Sequence, residues 1–134
     1  MKLGFIGTGK ITSSVVTGIC KSDIKFSKVI ISPRNLKTAK NLKKKFKKIS
    51  IAKDNQQIID ECNWIFLAVT PMVAKKILHK LKFKKSQTIV SFISTMNLSN
   101  LKKTIKVKAK ISRVIPLPFI SLRKGPIPIF PPNK

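Results

Sequence analysis

The chain has 134 residues, 43% of them hydrophobic, which is enough for one domain with its own core and too apolar for a disordered segment. It carries 29 Lys and Arg against four acids, Asp23, Asp54, Asp60 and Glu61, for a formal charge of +25 that points toward anionic partners. Against a specific nucleic-acid reader stand the scarcity of arginine (Arg34, Arg113 and Arg123), the scatter of lysine along the chain, and aromatics that lie mostly inside apolar runs.

Loose polyanion binding at low salt is expected, as a consequence of lysine bias and not as the function. No apolar run reaches the roughly 18 residues that a bilayer span needs. The N-terminus carries glycines where the apolar stretch of a signal peptide would lie. Cys20 and Cys62 show no CxxC or Cys/His spacing. They read as reduced structural thiols of a cytoplasmic protein, with no metal site and no membrane partner.

The first twelve residues organise the rest. Lys2-Leu3-Gly4-Phe5-Ile6 is too short for a helix and reads as a strand. Gly7-Thr8-Gly9 follows, and Ile11, Val15, Val16 and Ile19 then recur at helical spacing, giving a helix over about Lys10 to Cys20. Strand, glycine turn and helix form the context of a dinucleotide fingerprint. Gly7 permits the tight turn, Gly9 lets a pyrophosphate approach the backbone, and the helix start aims free N–H groups at the phosphates. Thr12 stands where Gly or Ala is usual, the position that lets the helix pack close to the strand.

Lys28–Ser32 is the second strand, and its end falls where a Rossmann fold discriminates the ribose. Ser32-Pro33-Arg34-Asn35 stands there in place of an acid. A hydroxyl and a guanidinium suit a 2′-phosphate that a carboxylate would repel, so NADP is favoured over NAD. Asn35 to Lys48 reads as a helix capped by Asn35, with Leu36, Ala39, Leu42 and Phe46 on one stripe.

Ser50–Ala52 is a short strand and Asn55–Cys62 a short helix with Ile58 and Ile59 facing inward. Trp64–Val69 is a continuous apolar run, as in a central parallel strand. Thr70-Pro71 opens a helix to about Leu81, burying Val73, Ile77, Leu78 and Leu81. His79, late in that helix, reads as a surface or packing residue. Gln87–Ile93 forms a fifth strand, Ser94-Thr95-Met96 its exit loop, Asn97 to about Ile105 a helix, and Lys110–Ile115 a sixth strand. The tail from Gly125 to Pro132 offers one further edge strand between prolines. The expected fold is a doubly wound parallel sheet of about six strands with helices on both faces.

Five segments in this order, Gly4–Gly9, Ser32–Arg34, Leu67–Pro71, Val90–Ser94 and Arg113–Pro116, resemble the N-terminal domain of pyrroline-5-carboxylate reductase. The resemblance spans essentially the whole chain and about half of a typical family member. It implies a single NADP(H)-binding Rossmann domain over residues 1–134 and hydride transfer to a small cyclic imine, the last step of proline synthesis. Carried over by position, Gly7, Thr8, Gly9, Lys10 and Ile11 contact the pyrophosphate, and Ser32 and Arg34 the 2′-phosphate. Ala68, Val69, Thr70 and Pro71 line the nicotinamide side, Ser94 and Thr95 lie near the reacting ring, and Arg113 and Pro116 shape the wall toward the substrate. No catalytic acid or nucleophile is implied.

The sequence departs from the family at Lys10, where Asn is usual, at Thr70, where Lys is usual, and at Ile115-Pro116-Leu117-Pro118, where Met-Pro-Asn-Thr-Pro is usual. These departures bear on the substrate more than on the cofactor. The family's helical dimerisation domain has no counterpart in these residues, so a helical partner domain or a homo-oligomer is expected. Two alternatives stand beside this reading. One is another NADP-dependent oxidoreductase, of the deazaflavin-dependent NADP reductase or imine reductase type. The other is a non-enzymatic nucleotide- or polyanion-binding module.

Overall fold

The structure, a computed structural model, describes residues 1–115 and 129–130. Its elements are β1 (Lys2–Ile6), α1 (Lys10–Cys20), β2 (Lys28–Ile31), α2 (Leu36–Lys45), β3 (Ile49–Ile51), α3 (Asn55–Glu61), β4 (Trp64–Leu67), α4 (Pro71–Ile77, continued by a 3-10 turn at Leu78–Lys80), β5 (Thr88–Ser91), α5 (Leu98–Ile105), β6 (Lys110–Val114) and β7 (Ile129–Phe130). They form one sheet in the order β3-β2-β1-β4-β5-β6-β7. The first six strands run parallel, and β7 pairs antiparallel with β6 through Arg113↔Phe130 and Val114↔Ile129. β7 falls within the edge strand expected of the tail. The rest of that stretch, with Pro116, Leu117 and Pro118, lies outside the described residues.

Alternation along the central strands builds two cores, one on each face. Ile6, Ile30, Ile65, Leu67 and Ile89 point to one face, against Ile58 and Ile59 of α3, Ala74 of α4, Leu78, and Leu101 and Ile105 of α5. Leu3, Phe5, Val29 and Ile31 point to the other, against Val15 and Val16 of α1 and Ala39 and Leu42 of α2. Both faces are covered, so the strands read as apolar runs without a polar side. The Phe5 and Phe66 rings stack across β1 and β4 with centroids 4.4 Å apart.

Element ends differ from the sequence expectation for local reasons. The second helix was expected to reach Lys48 but stops at Lys45, where Phe46 is extended (φ −130°, ψ 123°) and tucks its ring toward the second core. Lys43/Lys47 and Lys44/Lys48 would place like charges one turn apart with no acid between them. β3 accordingly starts at Ile49 and not at Ser50. β4 was expected to reach Val69 but ends at Leu67. Ala68 N–H still donates to the Ile6 carbonyl (2.8 Å), but β1 turns away at Gly7 and offers nothing beyond. β5 ends at Ser91, whose Oγ accepts from Ile93 N–H (3.2 Å) and bends the chain.

Cys62 is buried against β1 and both described cysteines are free thiols. Burial, and then the neighbouring Glu61, push the Cys62 thiol up to about 11, so it stays protonated at neutral pH. His79 is exposed, its Nδ1 3.2 Å from the Lys75 carbonyl. Among the described residues no helix is long and apolar enough to cross a membrane.

Gln87 was expected to open β5 as an ordinary strand residue. It is instead buried before the strand. Its amide donates to the carbonyls of Ile59 (2.5 Å) and Cys62 (2.9 Å) and accepts from Lys84 N–H (2.8 Å), fastening the α3–β4 turn to the entry of β5. Gln87→Ala strands two buried carbonyls and should lower unfolding free energy by about 2–4 kcal/mol in urea denaturation.

Candidate functional site

The strand order reverses between β1 and β4, so the turns leaving β1 and β4 diverge and leave a crevice over their carboxyl ends. Gly7 opens it. Its φ of +102° belongs to glycine, and a Cβ there would overlap the Ala68 carbonyl oxygen and stand 2.9 Å from Val69 Cγ1. The two turns are thus pressed together at Gly7. Gly9 is the opposite case. It is extended (φ −100°, ψ −162°) and exposed, with no atom within 4 Å of where a Cβ would sit, so open space lies over its backbone.

Three hydroxyls fix the glycine turn. Thr12 is fully buried and its Oγ1 donates to the Gly7 carbonyl (2.7 Å). The residue that departs from the small-residue pattern therefore ties α1 to the turn with a hydrogen bond that Gly or Ala lacks. Thr8 Oγ1 donates to the Ser32 carbonyl (2.7 Å), and Gly7 N–H donates to Ser32 Oγ (3.0 Å). Thr8 and Ser32 are both buried, with their hydroxyls 2.9 Å apart, so they join the end of β2 to the turn after β1.

The start of α1 is electrostatically distinct. Four other helices carry side-chain caps: Asn35 on Thr38 N–H, Asp54 on Gln57 N–H, Thr70 on Val73 N–H and Asn97 on Asn100 N–H. α1 has Gly9 as its cap residue, no side-chain cap and no acid in its first turn. Its first intrahelical bond runs from Ser13 N–H to the Gly9 carbonyl (3.0 Å). The N–H groups of Lys10, Ile11 and Thr12 precede it and have no acceptor within the helix, at its positive end, with the exposed Lys10 ammonium adding charge.

Three adjoining pockets make one cleft along this edge. A pocket of about 370 Å³ lies between the start of α1, the Ala68–Pro71 turn, Phe92–Ser94 and Ile115. One of about 510 Å³ runs from Gly7–Gly9 past Ala68–Thr70 and Val73 to Arg34, Asn35 and Leu36. A third, of about 310 Å³, continues between Ser32–Arg34 and Lys53–Asn55. Gly9 and Ala68–Thr70 are shared by the first two, and Gly7, Arg34 and Val69 by the last two.

Of the residues singled out in the sequence, Gly7, Thr8, Gly9, Lys10, Ile11, Ser32, Arg34, Ala68, Val69, Thr70, Pro71 and Ser94 line this cleft. Thr95 is exposed and lines none of the three pockets. Arg113 sits behind the Ser94 turn. Its Nη2 donates to the Ser94 carbonyl (2.6 Å), and its buried Nε has no partner among the described residues. Leu36 and Val73, placed by the sequence on the apolar sides of their helices, are walls of the cleft, Leu36 being half exposed at the start of α2, and the Lys53–Asn55 side is not among the expected site residues. The signal for that side was its place just past a strand end and on the first turn of the following helix.

A parallel sheet with a cleft at its switch point, entered by a glycine turn and an uncapped helix, is the architecture of the dinucleotide-binding domains. The chain belongs to the family described as NADP oxidoreductase, coenzyme F420-dependent, whose model matches residues 2–98. It is 28% identical to pyrroline-5-carboxylate reductase 3 of Xenopus laevis over 132 residues, 95% of this chain and 47% of that protein. It is 27% identical to the Danio rerio protein of the same name over 119 residues, 87% of this chain and 41% of that one. The crystal structure of Plasmodium falciparum pyrroline carboxylate reductase with NADP bound aligns with a TM-score of 0.81 at 24% identity, over 96% of this chain and 47% of that one, which is likeness of fold. The chain thus spans less than half the length of these relatives.

Thr12→Val keeps the volume and removes the hydroxyl that holds the Gly7 carbonyl. It should cost about 1–2 kcal/mol of unfolding free energy, read in urea denaturation at unchanged m-value.

Proposed function

We propose that this chain is the NADP(H)-binding half of a reductase of the pyrroline-5-carboxylate reductase type. One observation carries the reading: among the described residues, α1 is the α-helix without a side-chain cap, and its open end borders a cleft that has Arg34 at one extremity and the Ser94 turn at the other. The pyrophosphate binds at that helix end, on the N–H groups of Lys10, Ile11 and Thr12, with Gly9 giving clearance and Lys10 adding charge. Gly7 and Thr8 shape the turn beneath it. Arg34 binds the 2′-phosphate as a fork, and Ser32 positions the turn that carries Arg34.

The nicotinamide lies in the pocket between Ala68–Pro71 and Ser94, and Thr95, which follows Ser94, lines no part of it. The cofactor supplies a hydride, and the chain's own residues orient the ring and exclude water. No residue of this half needs to act as nucleophile. The substrate is a small cyclic imine, 1-pyrroline-5-carboxylate, and its reduction serves proline synthesis. A helical domain, or a second chain carrying one, closes the substrate side. Two free thiols, one held protonated by burial, suit a cytoplasmic setting.

A second reading, reduction or oxidation of a deazaflavin by NADP(H), is favoured by the family description. It uses the same cleft and differs in the partner that meets the ring. With a relative's C-terminal portion supplied in trans, turnover of 1-pyrroline-5-carboxylate supports the first reading and turnover of a deazaflavin the second.

Titration of the chain with NADPH and NADH at about 150 mM salt, followed by nicotinamide fluorescence, tests the binding reading. NADPH is expected to bind more tightly. Arg34→Ala is expected to weaken NADPH roughly tenfold, as loss of a charge-assisted bidentate contact, and to leave NADH nearly unchanged. Equal losses for the two cofactors remove Arg34 from this role, and no saturable binding by a folded sample ends the reading.

A further inference from the structure

The wall of the cleft opposite Arg34 belongs to the turn between β3 and α3. β2 and β3 pair in register Ile31↔Ile51, and Ala52 N–H donates to the Ile31 carbonyl (2.9 Å), which carries the ladder to the residue before the turn. Lys53 therefore leaves the sheet alongside Pro33, one residue before Arg34 on the neighbouring strand. Its backbone is fixed, because Lys53 N–H donates to Gln57 Oε1 (2.8 Å) on α3. Lys53 is exposed and is among the residues that line the 310 Å³ pocket together with Ser32, Pro33 and Arg34.

The charges on that pocket do not balance for a phosphate without Lys53. Asp54 lines the same pocket while its Oδ1 accepts from Gln57 N–H (2.9 Å) at the start of α3. Arg34 and Asp54 together sum to zero. A carboxylate at a strand end beside the ribose suits free 2′- and 3′-hydroxyls and repels a 2′-phosphate. Lys53, which lines the same pocket, restores a net positive charge there. Among the lysines, Lys10 borders the cleft at the start of α1, and Lys53 is set apart by a fixed turn and by sharing the 310 Å³ pocket with Arg34.

We propose that Lys53 is the second cation of the 2′-phosphate subsite, so that preference for the phosphorylated dinucleotide rests on two turns, β2–α2 and β3–α3, and not on Arg34 alone. This inference depends on the NADP(H) reading above. Arg34 supplies the planar fork, and Lys53 supplies a flexible point charge that offsets Asp54 and reaches the phosphate from the other side.

The probes are 2′,5′-ADP and 5′-AMP, each competing with NADPH for the chain at fixed salt, with the wild type, Lys53→Gln, Lys53→Arg, Arg34→Ala and the double variant Lys53→Gln/Arg34→Ala. Circular dichroism verifies that each is folded. Lys53→Gln is expected to weaken 2′,5′-ADP roughly fivefold, the scale of one partly exposed charge contact, with 5′-AMP unchanged. Lys53→Arg is expected to restore affinity, and the double variant to lose the preference that each single variant only reduces. If Lys53→Gln matches the wild type while Arg34→Ala alone erases the preference, Lys53 has no part and the NADP(H) reading survives. If the wild type does not distinguish 2′,5′-ADP from 5′-AMP, the NADP(H) reading falls and this inference with it.

Discussion

The contact between Gly7 and Ala68 governs the geometry of this fold. At a φ of +102° the backbone leaves β1 after Ile6, and the absence of a Cβ lets it lie against the Ala68 carbonyl. That one turn ends β1, and so removes the partner that would extend β4 past Leu67. It also sets where α1 begins and aims its first turn across the crevice. The surrounding hydrogen bonds make the turn rigid: Thr12 holds its carbonyl, and Ser32 holds its N–H. A cleft between two diverging turns is then a consequence of sheet topology, and its electrostatic character comes from one helix left without a cap.

The division of labour between charge and geometry follows from this. The chain is strongly basic, yet the cleft owes little to the bulk of that charge. Lys43, Lys44 and Lys45 sit in the last turn of α2, where they meet the negative helix end, and all three are exposed. Their effect on an anion in the cleft is screened over a distance comparable with the Debye length of about 8 Å. In the proposed reading, what favours a dinucleotide phosphate is local: free amides, an open space over Gly9, and the cations Arg34 and Lys53 on the turns after β2 and β3.

Much of this was legible in the sequence because it rests on period and punctuation. Apolar runs of four to six residues alternating with helical stripes give a parallel sheet, and glycines between the first strand and the first helix give the site. Strand ends were less legible. β4 reads as apolar through Val69, and only the partner strand's turn at Gly7 explains its stop at Leu67. α2 reads as amphipathic through Lys48, and the competing terms are lysine repulsion and the pull of the Phe46 ring into the core. Thr12 read as a departure from pattern because hydrogen bonding to the preceding turn is a three-dimensional property. Gln87 is missed for the same reason, since its buried amide finds its partners on an element distant in sequence, whereas Lys53 carries only the weak signal of standing just past a strand end.

The central claim is that the uncapped end of α1 receives the phosphates of a bound dinucleotide. Backbone amide shifts of the isotopically labelled chain, followed during titration with NADPH at about 150 mM salt, test it most directly. The account predicts the largest saturable shifts at Gly7 to Thr12, with further shifts at Arg34 and Ser94. Shifts confined to the exposed lysines of α2 and lost at higher salt would contradict it, because they would mean that the anion meets the protein's general charge and not its helix end.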